Sequence, residues 1–140
     1  MLASPVDLIH VRWPMYASIK LDGIRAVVRD NKLLSRSLKL IPNVEIRAAL
    51  SKPAFEGLDG ELIVGDPASP TCYRDTVSGV MSEDKSPDWK FYVFDDHTHT
   101  SAAFRYRLER LTDTIDGISQ RIVLLPQILV HDVASLDEFE

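Results

Sequence analysis

Three acid-led dipeptides, Asp22-Gly23, Asp30-Asn31 and Asp59-Gly60, punctuate the first half of the chain. Such pairs suit tight reversals, because Gly, Asn and Asp tolerate the positive φ that a two-residue hairpin loop requires. Between them lie short runs rich in β-branched and aromatic residues, at positions 16–20, 24–29, 32–35 and 61–64. Reversals this close join antiparallel strands, since a parallel pair needs a crossover of about a dozen residues or more. The spacing therefore predicts an antiparallel meander over residues 16–36. Asp22-Gly23 is expected at its first hairpin and Asp30-Asn31 at its second, with another strand leaving Asp59-Gly60.

Helical signals occupy the remaining stretches. Ser4-Pro5-Val6-Asp7 combines a capping serine, a first-turn proline and an acid, and Pro14 keeps any helix there short. Asn43 suits the N-cap of a short helix running to Leu50. Residues 65–89 read as a loop with a short helix near 73–81. Residues 90–94 form a strand. Ser101 is expected to open the clearest helix, with Phe104, Leu108, Leu111 and Ile115 at helical spacing. Residues 122–125 and 128–130 read as strands split by Pro126. Ser135-Leu136-Asp137-Glu138 fits a capping box, the start of a helix, yet only a few residues follow it. So short a segment returns too few hydrogen bonds to cover nucleation, so the sequence is expected to be cut short of its natural domain. The fold class is α+β, with mostly antiparallel sheets and flanking helices.

The chain of 140 residues fits one domain or most of one, and its 45% hydrophobic content can build a core. No apolar run approaches the length of a membrane span, and no membrane partner is expected. The opening Met1-Leu2-Ala3-Ser4-Pro5 lacks the basic and apolar segments of a secretory signal. The single cysteine, Cys72, cannot form an internal disulfide; it reads as a small packing residue in a reducing, cytoplasmic setting. Net charge is −5, but its distribution is uneven. Residues 1–52 hold nine Lys/Arg against four Asp/Glu, and residues 53–140 hold seven against seventeen. A basic first third suits a phosphate-bearing ligand, as well as a simply solvated surface.

Chemistry concentrates in Lys20-Leu21-Asp22-Gly23-Ile24-Arg25. A lysine amine is a nucleophile only when neutral, and its ordinary pKa is about 10.4. Neighbouring cations and desolvation lower it, and Arg25 is placed to supply positive charge. Gly23 permits a tight turn and close approach of a ligand. Asp22 is placed to cap the turn or orient Lys20. An exposed hairpin with a charged flank is the plainer alternative.

The hexapeptide resembles the first motif of the covalent nucleotidyltransferases: DNA ligases, RNA ligases and capping enzymes. Leu58-Asp59-Gly60-Glu61-Leu62-Ile63 resembles the motif whose acid contacts the ribose and assists metal binding. Phe91-Tyr92-Val93-Phe94-Asp95 resembles the motif whose aromatic ring stacks on adenine. Leu34-Ser35-Arg36 falls where the family places an arginine after its first hairpin. The opening five residues and the stretch 73–82 also look like short phage-type ATP-dependent DNA ligases. The resemblance implies the N-terminal portion of a partial ATP-grasp-like adenylation domain, without an oligonucleotide-binding barrel. It implies Lys20 as nucleophile, a nucleotide lined by Ile19, Lys20, Arg25, Arg36, Glu61 and Phe94, and Glu61 as metal ligand. It implies ATP as AMP donor, Mg²⁺, and a monomer acting on nicked double-stranded DNA in a bacterial or phage-infected cell. RNA ends are the alternative substrate, and a non-catalytic binding remnant the alternative role. The family's later acid-glycine and K-x-K motifs have no match after Phe94, so weak or absent ligation is expected of these 140 residues. His97 and His99 are expected as exposed loop residues, and Asp95 and Asp96 as turn formers.

Overall fold

A computed structural model describes residues 4–139. In chain order come strands β1 (Met15–Ala17), β2 (Ile24–Arg29) and β3 (Lys32–Ser35), helix α1 (Val44–Leu50) and strand β4 (Leu58–Val64). Helix α2 (Cys72–Val80), strand β5 (Trp89–Asp96), helix α3 (Phe104–Ile115), strands β6 (Ile122–Leu124) and β7 (Ile128–Val130), and helix α4 (Val133–Asp137) follow. The chain divides into two units. The larger runs from Lys20 to Leu125; the smaller takes the residues up to Ile19 and those from Pro126 onward.

The larger unit is built on a five-stranded sheet in the order β3-β2-β4-β5-β6. Every pairing is antiparallel except β5 with β6, so the α+β expectation holds. The Asp30-Asn31 hairpin forms as expected. Both residues have positive φ, 52° and 56°. That combination is the type I′ geometry matching strand twist. Glu56 fastens the turn by accepting both amides, at 3.0 and 2.8 Å.

The other two dipeptides do not make hairpins. β1 pairs with β7, not with β2, so the expected meander over residues 16–36 is limited to β2 and β3. Gly23 has no positive φ; it is needed for proximity, since a Cβ there would stand 2.2 Å from the Leu62 carbonyl oxygen. Asp59 and Gly60 lie inside β4. A Cβ on Gly60 would stand 2.4 Å from the Tyr92 carbonyl oxygen, so close strand packing selects this glycine.

One core cluster joins the sheet to all three of its helices. Ala26, Val28, Leu62, Phe91 and Val93 from the strands meet Ile46, Leu50, Val80, Leu111 and Ile115. Each large aliphatic or aromatic side chain fully buried here contributes about 1.5–3 kcal/mol relative to exposure. Asn43, wholly buried, caps α1 by accepting the Ile46 amide at 3.0 Å. Its amide group donates to the carbonyls of Gly79, Ser82 and Lys85, which ties α1 to the segment after α2.

The start of α3 differs from expectation, with no side chain capping its open amides. α3 begins at Phe104 with Ala103 at its cap, and Ser101 plays no capping part. Leu111 and Ile115 are buried on α3, joined by Arg107.

The smaller unit holds the two-stranded β1–β7 sheet, with Met15 opposite Val130. Its first helical turn is a short 3-10 segment, Leu8–His10, capped by Asp7 rather than Ser4. In α4 the capping box is Asp132 with Ser135, so the helix begins before Ser135. Expectations resting on Met1–Ala3 and Glu140 lie outside the described residues. Among the described residues, no helix is long and apolar enough to cross a membrane.

Candidate active site

Strand register brings the chemistry-bearing residues together. On β2 and β4, Arg25 stands opposite Glu61 and Val27 opposite Asp59. Side chains alternate along a strand, so Asp59 and Glu61 share a face with Arg25. The guanidinium reaches diagonally to Asp59, with Nε 3.0 Å from Oδ1 and Nη2 2.7 Å from Oδ2. Asp59 and Arg25 are 8% and 23% exposed at their side chains, so this bidentate pair is largely shielded from water. The bond to Asp59 holds the Arg25 pKa above its ordinary value.

Glu61 takes a different partner. Its Oε1 accepts the Gly23 amide at 3.1 Å. This fixes the loop that carries Lys20 and Asp22 to the centre of the sheet. Burial pushes the Glu61 carboxyl up, and the Gly23 amide and the charges of Arg25 and Lys20 only partly oppose it. Lys20 forms an ion pair with Asp22 at the protein surface. The hydrogen bond to Asp22 and then its charge raise the Lys20 pKa. The expected lowering by a neighbouring cation is therefore reversed, because Asp59 takes up Arg25 and a carboxylate takes up Lys20.

Phe94 belongs to an irregularity in β5. Asp59 pairs with Asp95 while Gly60 pairs with Val93, so Phe94 is the extra residue of a bulge. Bulges re-aim side chains. Here the half-buried Phe94 ring lies beneath Arg25, whose Cζ is 5.6 Å from the ring centroid. Lys20, Arg25, Glu61 and Phe94 are thus linked through Gly23, Asp59 and the bulge.

Two other expected residues lie at the surface. Arg36 is exposed on the turn after β3. Ile19 is 56% exposed and belongs to the smaller unit.

Other candidates are occupied structurally. Cys72 is buried, as expected, and its thiol donates to the Asp22 carbonyl at 3.4 Å. His97 and His99 are half-buried rather than free in a loop. The His97 ring bonds the Val28 carbonyl at 2.9 Å, and His99 meets Asp96 at 3.3 Å. Asp96 caps the 3-10 turn at His97–His99, whereas Asp95 pairs with Arg107 instead of forming a turn. Sequence reasoning passed over Asp59 and Arg107. The available signal for Arg107 was its place among Phe104, Leu108 and Leu111, a charged residue on an apolar stripe.

Solved ATP-dependent DNA ligases share the fold. The Chlorella virus DNA ligase-adenylate crystal structure superposes with a TM-score of 0.79 and 25% identity, over 99% of this chain and 53% of that one. A Lig E DNA ligase, described as binding DNA with a minimal scaffold, gives 0.71 and 25% identity over 90% of this chain and 48% of its own. The bacteriophage T7 ATP-dependent DNA ligase in complex with ATP shares the fold, with a TM-score of 0.53 and 17% identity over 90% of this chain and 52% of that one. The chain spans about half the length of these ligases. No curated protein sequence matched it. The profile of the ATP dependent DNA ligase domain matches residues 1–140, and the chain belongs to that family.

Proposed function

We propose that this chain charges a lysine with AMP for DNA strand joining. The neutral Lys20 amine attacks the α-phosphorus of ATP, a phosphorus–nitrogen bond forms, and pyrophosphate leaves with the broken P–O bond. The product is a lysyl-AMP phosphoramidate. In the second and third steps AMP passes to a 5′-phosphate at a nick, and the neighbouring 3′-hydroxyl displaces it. The observation that carries this reading is the grouping of Lys20, Arg25, Glu61 and Phe94 around the Gly23 loop and the β5 bulge.

Each residue has a task in this reading. Phe94 offers a flat apolar surface on which a base can stack. Arg25, fixed by Asp59, contributes a preorganised positive charge that needs no rearrangement at the moment of reaction. Glu61 holds the loop that presents Lys20.

The donor set also fits a hard divalent cation. Asp22 is paired with Lys20 and Asp59 with Arg25, while Glu61 accepts an uncharged amide, its one partner among the described residues. Among the described residues no three His, Cys, Asp or Glu side chains gather as a metal cage. Mg²⁺ is commonly held by one or two carboxylates together with phosphate oxygens and water. Glu61 would hold it, and when bound it neutralises triphosphate charge.

Incubation with α-labelled ATP and Mg²⁺ tests the first step. Label should remain on the denatured wild-type chain and be absent from Lys20→Ala. Equal labelling of the two proteins would refute the assignment. Transfer of the AMP from charged protein to nicked duplex DNA, in competition with nicked RNA, tests the substrate.

A further inference from the structure

Asp59 and Asp95 stand opposite one another across β4 and β5, at the bulge that sets Phe94 apart. Like charges placed directly opposite destabilise a strand pair. Each is met by its own arginine. Asp59 is held by Arg25. Asp95 is held by Arg107 from α3, with Nε 2.7 Å from Oδ1 and Nη2 3.1 Å from Oδ2. The remaining arm of Arg107 is also fixed. Nη1 donates to the Ala102 carbonyl at 2.6 Å, and the guanidinium lies 5.4 Å from the Phe104 ring centroid. The Arg107 side chain is 10% exposed, on a helix whose neighbouring turns enter the core through Leu111 and Ile115.

We infer that Arg107 is a positioning residue of the nucleotide pocket: it holds Asp95 away from Arg25, and so keeps Arg25 on Asp59 and over the Phe94 ring. Asp95 is near enough for its charge to act on the Arg25 guanidinium. Without Arg107, two carboxylates at the bulge would compete for one fork. The Arg25 plane would leave its bidentate geometry and the aromatic surface would lose its setting. Arg107 touches none of the groups assigned to nucleotide, so its effect passes entirely through Asp95. The link to a nucleotide rests on the proposed function; the link between the two arginines does not.

The test uses the full chain in solution. The Arg25 side-chain Nε–H resonance is followed by NMR in wild type, Arg107→Lys, Arg107→Met and Arg107→Met/Asp95→Leu. Arg107→Lys retains a charge but loses the fork, and so samples the effect if Arg107→Met fails to fold. The Arg25 signal should move in both single variants and return toward wild type in the double variant. ATP affinity, measured by calorimetry, should weaken about tenfold in the single variants, the size of a coupling between contacting groups. Labelling at saturating ATP should slow as well, because a displaced Arg25 no longer offers its preorganised charge. An unmoved Arg25 signal in folded Arg107→Lys, or a shift that Asp95→Leu fails to relieve, overturns the inference. A wild-type chain that binds no ATP overturns the nucleotide reading, and the Arg25 signal still decides the clamp.

Discussion

An ammonium paired with a carboxylate two residues away cannot attack phosphorus until it gives up its proton, so the pH at which Lys20 reacts reports on Asp22. Asp22 raises the Lys20 pKa, which keeps the amine protonated to higher pH. AMP labelling should therefore climb on the alkaline side, and in Asp22→Asn that climb should move to lower pH. A pH–rate series on both proteins checks the direction; an unmoved profile would free Lys20 of Asp22's control. Gly23 supplies a second residue-scale outcome. Gly23→Ala drives a Cβ against the Leu62 carbonyl oxygen and the Ile63 side chain. Urea unfolding should show a loss of about 1–3 kcal/mol, the usual cost of overpacking, and labelling should fall with it. The contact of Asp22 with Lys20 was legible because it acts over two residues. The partner of Arg25 was not, because Asp59 lies 34 positions away and is reached diagonally across two strands.

Strands and helices hold together here through a few buried polar side chains as well as apolar ones. Asn43 caps α1 and satisfies three carbonyls beyond it, so Asn43→Ala removes a cap and orphans buried acceptors. Chemical denaturation should show a loss of about 3 kcal/mol, combining a cap with unmet hydrogen bonds. The turn after β5 depends on pH through Asp96. Burial alone would raise its pKa, but the side-chain and backbone hydrogen bonds from Thr98 outweigh it and the carboxyl is held below its ordinary value. A lowered folded-state pKa gives stability that is present above the unfolded value and lost as pH falls through the folded one. Acid denaturation of Asp96→Asn should therefore be less steep below about pH 4 than that of wild type. The Asn43 cap and the Asp30-Asn31 hairpin were readable from sequence, since each acts over a few residues. The start of α3 was not, because Ser101 carries a capping side chain yet no amide of α3 uses it.

Across the whole molecule, the pairing of β1 with β7 joins segments from opposite ends of the sequence. Three-residue strands carry almost no register information, so the local reading assigned β1 to β2 instead. Charge shows the same limit. The basic first third suited a phosphate-bearing ligand or a solvated surface alike, and it gave no sign that Lys20 and Arg25 each face a carboxylate. Arg36 remains exposed on its turn. If it meets a phosphate of nicked DNA, Arg36→Ala should weaken DNA binding across sequences and reduce the salt slope by about 1, measured by fluorescence anisotropy at several salt concentrations. The proposed function turns on one covalent event. Peptide mapping by mass spectrometry after incubation with ATP and Mg²⁺ measures it most directly. The account predicts a single AMP moiety on Lys20; an unmodified chain, or AMP carried by a different residue, would contradict it.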